Sequence, residues 1–131
     1  MNEPILESGM LFNADNTFHI EKSPAYTDLG EGIKSVEFVR RKDKALLFVE
    51  AKTTFPDPKN SEESFDSESG DIADKFIHSL NLYASIVLGL RTEDISETAS
   101  ATEVNTEVKL VLVIREHKMG WCKKVKSKIT L

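Results

Sequence analysis

The stretch Leu46-Leu47-Phe48-Val49-Glu50-Ala51-Lys52 constrains the fold more than any other part of this 131-residue chain. Four large apolar residues in a row predict a strand that is buried on both faces. Because side chains alternate along a strand, Glu50 and Lys52 are expected on the same face. A charged pair at the end of a buried strand is unfavourable unless it is paired, hydrogen-bonded or bound to a metal. The stretch therefore predicts either a structural ion pair or a functional site.

Length and composition indicate one domain over residues 1–131, long enough to bury about two-thirds of its unfolded surface. The single cysteine, Cys122, excludes an internal disulfide framework and is typical of a reducing compartment. Residues 1–9 lack the pattern of a secretory signal, and no apolar run approaches the roughly 18 residues of a membrane span. We therefore expect a cytoplasmic protein that does not enter a membrane.

The net charge of −5 is unevenly distributed along the chain. Six acidic residues and one lysine give residues 56–71 a net charge of −5, and six basic residues and one acid give residues 115–128 a net charge of +5. A second basic cluster occupies residues 40–44. The polar, serine-rich segment 57–70 predicts a mobile acidic loop. The basic segments predict either contacts to nucleic-acid phosphates or the solvated face of a terminal helix.

Hydrophobic periodicity and turn residues predict four strands and two helices. The strands are expected at 17–22, 33–41, 45–54 and 109–115, and the helices at 71–90 and 119–129. Residues 92–107 are weakly patterned and predict a loop. The last strand is apolar enough to be expected at the centre of the sheet, buried on both faces. A strand meander, a crossover helix and a further strand predict an α/β domain with a mixed β-sheet flanked by helices.

A two-residue hairpin turn at 42–43 would place Glu37 opposite Phe48 and diagonal to Glu50. Glu37, Glu50 and Lys52 would then share one face of the sheet. Two carboxylates at close range repel each other, which favours capture of a divalent cation. Oxygen ligands suit Mg²⁺ or Mn²⁺, and such an ion activates phosphate esters toward water. Lys52 would orient the attacking water or offset charge that grows on the phosphate.

The tripeptide Glu-x-Lys occurs three times, starting at Glu50, Glu107 and Glu116. Only the first copy ends a buried strand and follows a hairpin partner that carries an acid, Glu37. This arrangement resembles the PD-(D/E)xK nuclease superfamily, also called restriction endonuclease-like. The resemblance covers roughly residues 18–114 and implies the fold of that family.

The resemblance also implies functional residues. Glu50 and Lys52 match the Glu-x-Lys of the family, and Glu37 matches its upstream acid. The catalytic residues would be Glu37, Glu50 and Lys52. The ligands of Mg²⁺ or Mn²⁺ would be Glu37, Glu50 and the carbonyl of Ala51. The implied activity is metal-dependent hydrolysis of phosphodiester bonds in DNA, and the alternative is a non-catalytic module of the same fold that binds nucleic acid or protein.

The chain departs from the family in two places. Its upstream acid is Glu where Asp is usual, and the segment before the first strand is short for the family's first helix. The acid that this helix often supplies would come instead from Glu21, Asp28 or Glu31. A domain of this length also lacks an obvious specificity module, so we expect a homodimer or a larger complex to grip a duplex.

Overall fold

The computed structural model describes residues 3–29, 32–56, 59–91 and 106–116. Within these ranges the chain forms strands, two α-helices and a 3₁₀ helix at Ile20–Lys22. The strands are β1 (Ile5–Glu7), β2 (Met10–Phe12), β3 (Thr17–Phe18), β4 (Phe38–Lys42), β5 (Ala45–Lys52) and β6 (Glu107–Ile114). The helices are α1 (Pro24–Thr27) and α2 (Glu62–Val87).

Strands β3 to β6 form one four-stranded sheet in that order. The pairs β3–β4 and β4–β5 are antiparallel, whereas β5 and β6 are parallel. Parallel neighbours need a crossover connection, and α2 lies between them in the chain. The sheet is therefore mixed and the fold is α/β, which confirms the predicted class. Strands β1 and β2 form a separate antiparallel hairpin that the sequence patterns did not predict.

Helix α2 begins at Glu62, so the prediction of a loop over 57–70 is wrong for residues 62–70. Ser61 caps the helix, because its side chain accepts a hydrogen bond from the Ser64 N–H. Acidic residues in the first turn complement the helix dipole, so the negative charge that suggests a loop stabilises the helix start. The buried stripe of α2 is Phe65, Ser69, Ile72, Phe76, Ser79, Leu82, Tyr83 and Ile86. Ser69 interrupts the apolar period near the start of the helix, so the pattern predicts a later start than the structure shows.

The first two predicted strands are shorter than expected. Only Thr17–Phe18 pair as β3, and the chain then turns into the 3₁₀ helix. Strand β4 begins at Phe38 rather than at residue 33. The preceding backbone bonds instead to side chains of α2: the Lys34 N–H donates to His78 Nδ1 at 2.9 Å, and the Val36 N–H donates to Ser79 Oγ at 2.8 Å. These bonds dock the segment before β4 on the helix.

Strand β6 pairs only with β5 among the described residues, so it lies at an edge of this sheet and not at its centre. None of its side chains is fully buried, and Val108 is 50% exposed. The apolar run correctly predicts that these residues form a strand. It carries no information on how many strands flank that strand in the sheet. The predicted loop residues 92–105 and the predicted helix 119–129 lie outside the described residues.

The core lies between the sheet and α2. Phe48 of β5 packs edge-on against Tyr83 of α2, with ring centroids 5.5 Å apart. On the other face of the sheet, Phe38 of β4 packs against Phe12 of the hairpin at 5.3 Å. Strand β5 is therefore covered on both faces, as its apolar run predicts. No helix in the described ranges combines the length and apolar character needed to cross a membrane.

Candidate functional site

The β4–β5 register differs from the predicted one by two positions. Lys42 pairs with Ala45, and the turn is Asp43-Lys44 rather than Lys42-Asp43. Asp43 adopts a left-handed conformation, with φ of 55°, which Asp tolerates better than most residues. The ladder begins at the Phe38–Val49 pair, so Glu37 lies just outside it, and Phe48, the predicted partner of Glu37, pairs with Val39 instead.

Glu37 nevertheless lies close to the strand that carries Glu50. The Glu37 N–H donates to the Val49 carbonyl at 3.0 Å, which keeps Glu37 beside β5. The two carboxyl groups are near enough for the charge of Glu50 to raise the pKa of Glu37.

Glu50 is fully buried, with a relative exposure of 0%. Its Oε2 forms an ion pair and hydrogen bond with Lys75 Nζ of α2, whereas its Oε1 has no partner within the described residues. Burial raises the pKa of Glu50, and the charges of Lys75 and Lys52 oppose that rise. Burial also works against the charged form of Lys75, but its bond to Glu50 outweighs this and raises the Lys75 pKa.

Glu37 is 9% exposed, and its Oε2 is also buried without a hydrogen-bond partner in the described ranges. Burial, a hydrogen bond with Glu21 and the charge of Glu50 together raise the pKa of Glu37 to about 9. Glu7 adds further negative charge to this environment. Glu37 therefore holds a proton at neutral pH unless a cation replaces it.

Lys52 lies on the same face as Glu50, as alternation along β5 predicts. Its Nζ is 2.6 Å from Glu68 Oε1 of α2, and its side chain is 25% exposed. The Ala51 carbonyl accepts a hydrogen bond from the Ser8 hydroxyl at 3.0 Å, which engages one of its two lone pairs. Each predicted site residue therefore has a defined neighbour in the described structure.

Sequence reasoning missed the contributions of α2 to this site. Lys75 lies 25 positions after its partner Glu50, shortly beyond the segment that was interpreted as a loop. Glu68 lies 16 positions after its partner Lys52, within that segment. The spacing of these two residues is a partial sign of a shared role. Residues 68 and 75 are two helical turns apart, so on a helix they lie on one face. His78 of α2 also accepts a hydrogen bond from the backbone before Glu37, through the Lys34 N–H.

The N-terminal segment also contributes acids. Glu21 lies in the 3₁₀ helix and bonds to Glu37, whereas Glu7 comes from the unpredicted hairpin. Of the three acids suggested for the place of a first-helix acid, Glu21 is thus beside Glu37. Glu31 lies outside the described residues.

The donor set consists of buried carboxylate oxygens, which suits a hard divalent cation. Among the described residues, no group of three or more His, Cys, Asp or Glu side chains is arranged to hold a metal ion. Mg²⁺ is commonly bound through one or two carboxylates, with water and substrate phosphates completing its coordination. The unpartnered oxygens of Glu37 and Glu50 fit that smaller set.

Comparisons of the chain with protein-family models, curated proteins and solved structures found no match in any of the three.

Proposed function

We propose that this chain is a metal-dependent nuclease that hydrolyses phosphodiester bonds of DNA on a restriction endonuclease-like fold. Three antiparallel strands, a long helix and a fourth strand parallel to the third support this topology. Glu50 and Lys52 end the third strand of the sheet, and Glu37 precedes the second. The resemblance implies Glu-x-Lys on the third strand and the upstream acid on the second, and Glu37 lies one residue before that second strand.

The observation that carries the proposal is a pair of buried carboxylate oxygens, Glu37 Oε2 and Glu50 Oε1, that have no hydrogen-bond partner within the described residues. Buried polar atoms without partners are unfavourable, so a cation that binds both oxygens would stabilise them. The charge of Glu50 also raises the pKa of Glu37, and a shared divalent cation would relieve this repulsion. Glu37 and Glu50, with the Ala51 carbonyl, would hold Mg²⁺ or Mn²⁺. The ion would polarise a phosphate oxygen and acidify water.

Lys52 would interact with the attacking water or with the phosphate group. Its ammonium lies on the same face as Glu50 and is partly exposed, so it can reach a bound phosphate group or the water that attacks it. Glu68 holds the ammonium in the absence of substrate. A phosphate that enters the site would compete with Glu68 for Lys52 and bring the positive charge to the reacting group.

Calorimetric Mn²⁺ titration and plasmid nicking test the proposal. The wild type should bind Mn²⁺ and nick plasmid, whereas Glu50→Gln should lose both properties. Lys52→Ala should keep Mn²⁺ binding but lose at least about 100-fold in nicking rate. Lys109→Ala is the control, because that lysine is 58% exposed on β6 and should nick at the wild-type rate.

Absence of Mn²⁺ binding by the wild type would refute the metal-dependent activity. Equal nicking by the wild type and Lys52→Ala would show that the activity does not come from this site. Nicking by wild type and both lysine variants at one rate, without metal, would indicate a contaminant.

A second candidate is a non-catalytic module of the same fold that binds nucleic acid or protein. The ion pairs favour it, because Lys75 neutralises Glu50 and Glu68 neutralises Lys52 without any ligand. On this alternative the charges dock α2 on the sheet. It predicts that Glu50→Gln changes stability while Mn²⁺ binding is absent from the wild type.

A further inference from the structure

We propose that Lys75 is a positioning residue of the metal site, which holds Glu50 by Oε2 and leaves Oε1 as the oxygen that binds the divalent cation. This inference rests on the proposed function and adds a residue from α2 that Glu-x-Lys does not contain. It also assigns different tasks to the two oxygens of one carboxylate.

The two oxygens of Glu50 have different surroundings. Oε2 is bonded to Lys75 Nζ, and Oε1 is buried without a partner in the described structure. A carboxylate anchored at one oxygen cannot rotate freely about its terminal bond. Metal ligands are commonly oriented in this way by a hydrogen-bonding neighbour outside the coordination sphere. The bond from Lys75 engages Oε2, so within the described residues Oε1 is the oxygen that a cation can take.

Lys52 cannot do this in the observed arrangement. Its ammonium is 2.6 Å from Glu68 Oε1 of α2 and bonds there rather than to Glu50. Lys75 in contrast contacts Glu50 directly, and its side chain is 21% exposed. The charge of Lys52 still acts on Glu50, but the hydrogen bond comes from Lys75.

A second pair keeps Lys75 directed at Glu50. Asp71 lies one helical turn before Lys75 and is the acid on α2 that could attract its ammonium. Lys34 Nζ lies 2.6 Å from Asp71 Oδ1 and engages that carboxylate. Glu37 acts on Lys75 through charge, so the ammonium faces Glu50, Glu37 and Asp71 but bonds to Glu50.

Mn²⁺ affinity of Lys75→Met, measured by calorimetry, tests the positioning role. Loss of the bond to Oε2 should weaken Mn²⁺ binding at least about tenfold, as is typical when a residue that orients a metal ligand is removed. Lys52→Met is the matched control. It breaks an ion pair between the same helix and sheet at a similar exposure, and its Mn²⁺ affinity should stay within about threefold of wild type.

Mn²⁺ binding by Lys75→Met that is as tight as or tighter than wild type would overturn the inference, because Lys75 would then compete with the cation. Equal weakening in Lys75→Met and Lys52→Met would also overturn it, since helix docking in general would then control affinity. Failure of the wild type to bind Mn²⁺ would refute the proposed function itself. Wild-type binding with an unaffected Lys75→Met refutes only the positioning role.

Removal of Lys75 leaves Glu50 buried and unpaired, which destabilises the fold, so a second measurement uses the wild type. Nitrogen-15 spectra detect lysine ammonium groups that are hydrogen-bonded and protected from solvent. The Lys75 signal, assigned by its loss in Lys75→Arg, should be present without metal and persist at saturating Mg²⁺. Its disappearance on Mg²⁺ addition would show displacement by the cation, and its absence from the metal-free protein would contradict the ion pair. Either result overturns the inference.

Discussion

Replacement of Glu37 by Gln should stabilise the metal-free protein at neutral and alkaline pH. Glu37 is nearly buried, shares a hydrogen bond with Glu21 and feels the charge of Glu50, which together raise its pKa to about 9. In the unfolded chain its pKa returns to the ordinary value of 4.5. Between these values the folded protein retains a proton that the unfolded chain releases. Stability therefore falls as pH rises through this window.

The size of this effect follows from the dependence of the free energy of unfolding on pH. One proton bound only by the folded state lowers the free energy of unfolding by about 1.4 kcal/mol per pH unit. From pH 4.5 to pH 7 the loss amounts to about 3 kcal/mol. Glu37→Gln removes this loss, because the amide stays neutral and its N–H can replace the carboxyl proton as a donor to a neighbouring carboxylate. We expect the variant to gain about 1 to 3 kcal/mol at pH 7.

Urea unfolding followed by circular dichroism at pH 5, 7 and 8.5, with a chelator present, measures this difference. The two proteins should be closest in stability at pH 5 and should separate progressively as pH rises. Glu3→Gln, at an exposed carboxyl, is the control and should parallel the wild type. A Glu37→Gln curve that runs parallel to the wild type, or a variant less stable than wild type at pH 8.5, would refute the reasoning.

Three stability predictions follow from packing and backbone geometry, each measured by urea unfolding. Phe48→Ala should lose about 3 to 5 kcal/mol, because the ring is 1% exposed and packs on Tyr83; a loss below 1 kcal/mol would contradict the core assignment. Ser61→Ala should lose about 1 kcal/mol through loss of the α2 cap, while Ser67→Ala, at an exposed helix position, should not. Gly70→Ala should gain about 0.5 to 1 kcal/mol, since the added methyl meets no atom within 4 Å inside α2; destabilisation would show that the position is not helical.

Much of the candidate site could be predicted because it depends on one strand. Glu50 and Lys52 share a face through alternation, a local property of extended backbone. The buried character of β5 also follows from its own apolar residues. Nucleic-acid contacts, the metal and catalysis remain predictions that the experiments above decide.

The errors in the predicted fold arise where a residue adopts a position or a conformation that its type does not usually favour. The predicted start of helix α2 is nine residues too late, because the segment before residue 71 is acidic and serine-rich and Ser69 occupies a buried position where sequence patterns expect an apolar side chain. Ser79 is also buried and serves as an acceptor for the Val36 N–H, which explains a polar residue at that place. The predicted β4–β5 register is two positions away from the observed one, because the turn begins at Asp43 and not at Lys42. Asp43 adopts a left-handed turn conformation there without a neighbouring glycine.

The mixed α/β class, the buried strand β5 and the shared face of Glu50 and Lys52 follow from local features of the amino-acid sequence. These properties depend on apolar content and on the period of the backbone, and both are local. The bond of Glu50 to Lys75 rather than to Lys52, and the place of Glu37 just outside the β4–β5 ladder, depend on the tertiary structure. Lys75 is separated from Glu50 by 25 positions, so their contact depends on how α2 docks on the sheet. Docking is set by the packing of many side chains together, which no single stretch of sequence specifies.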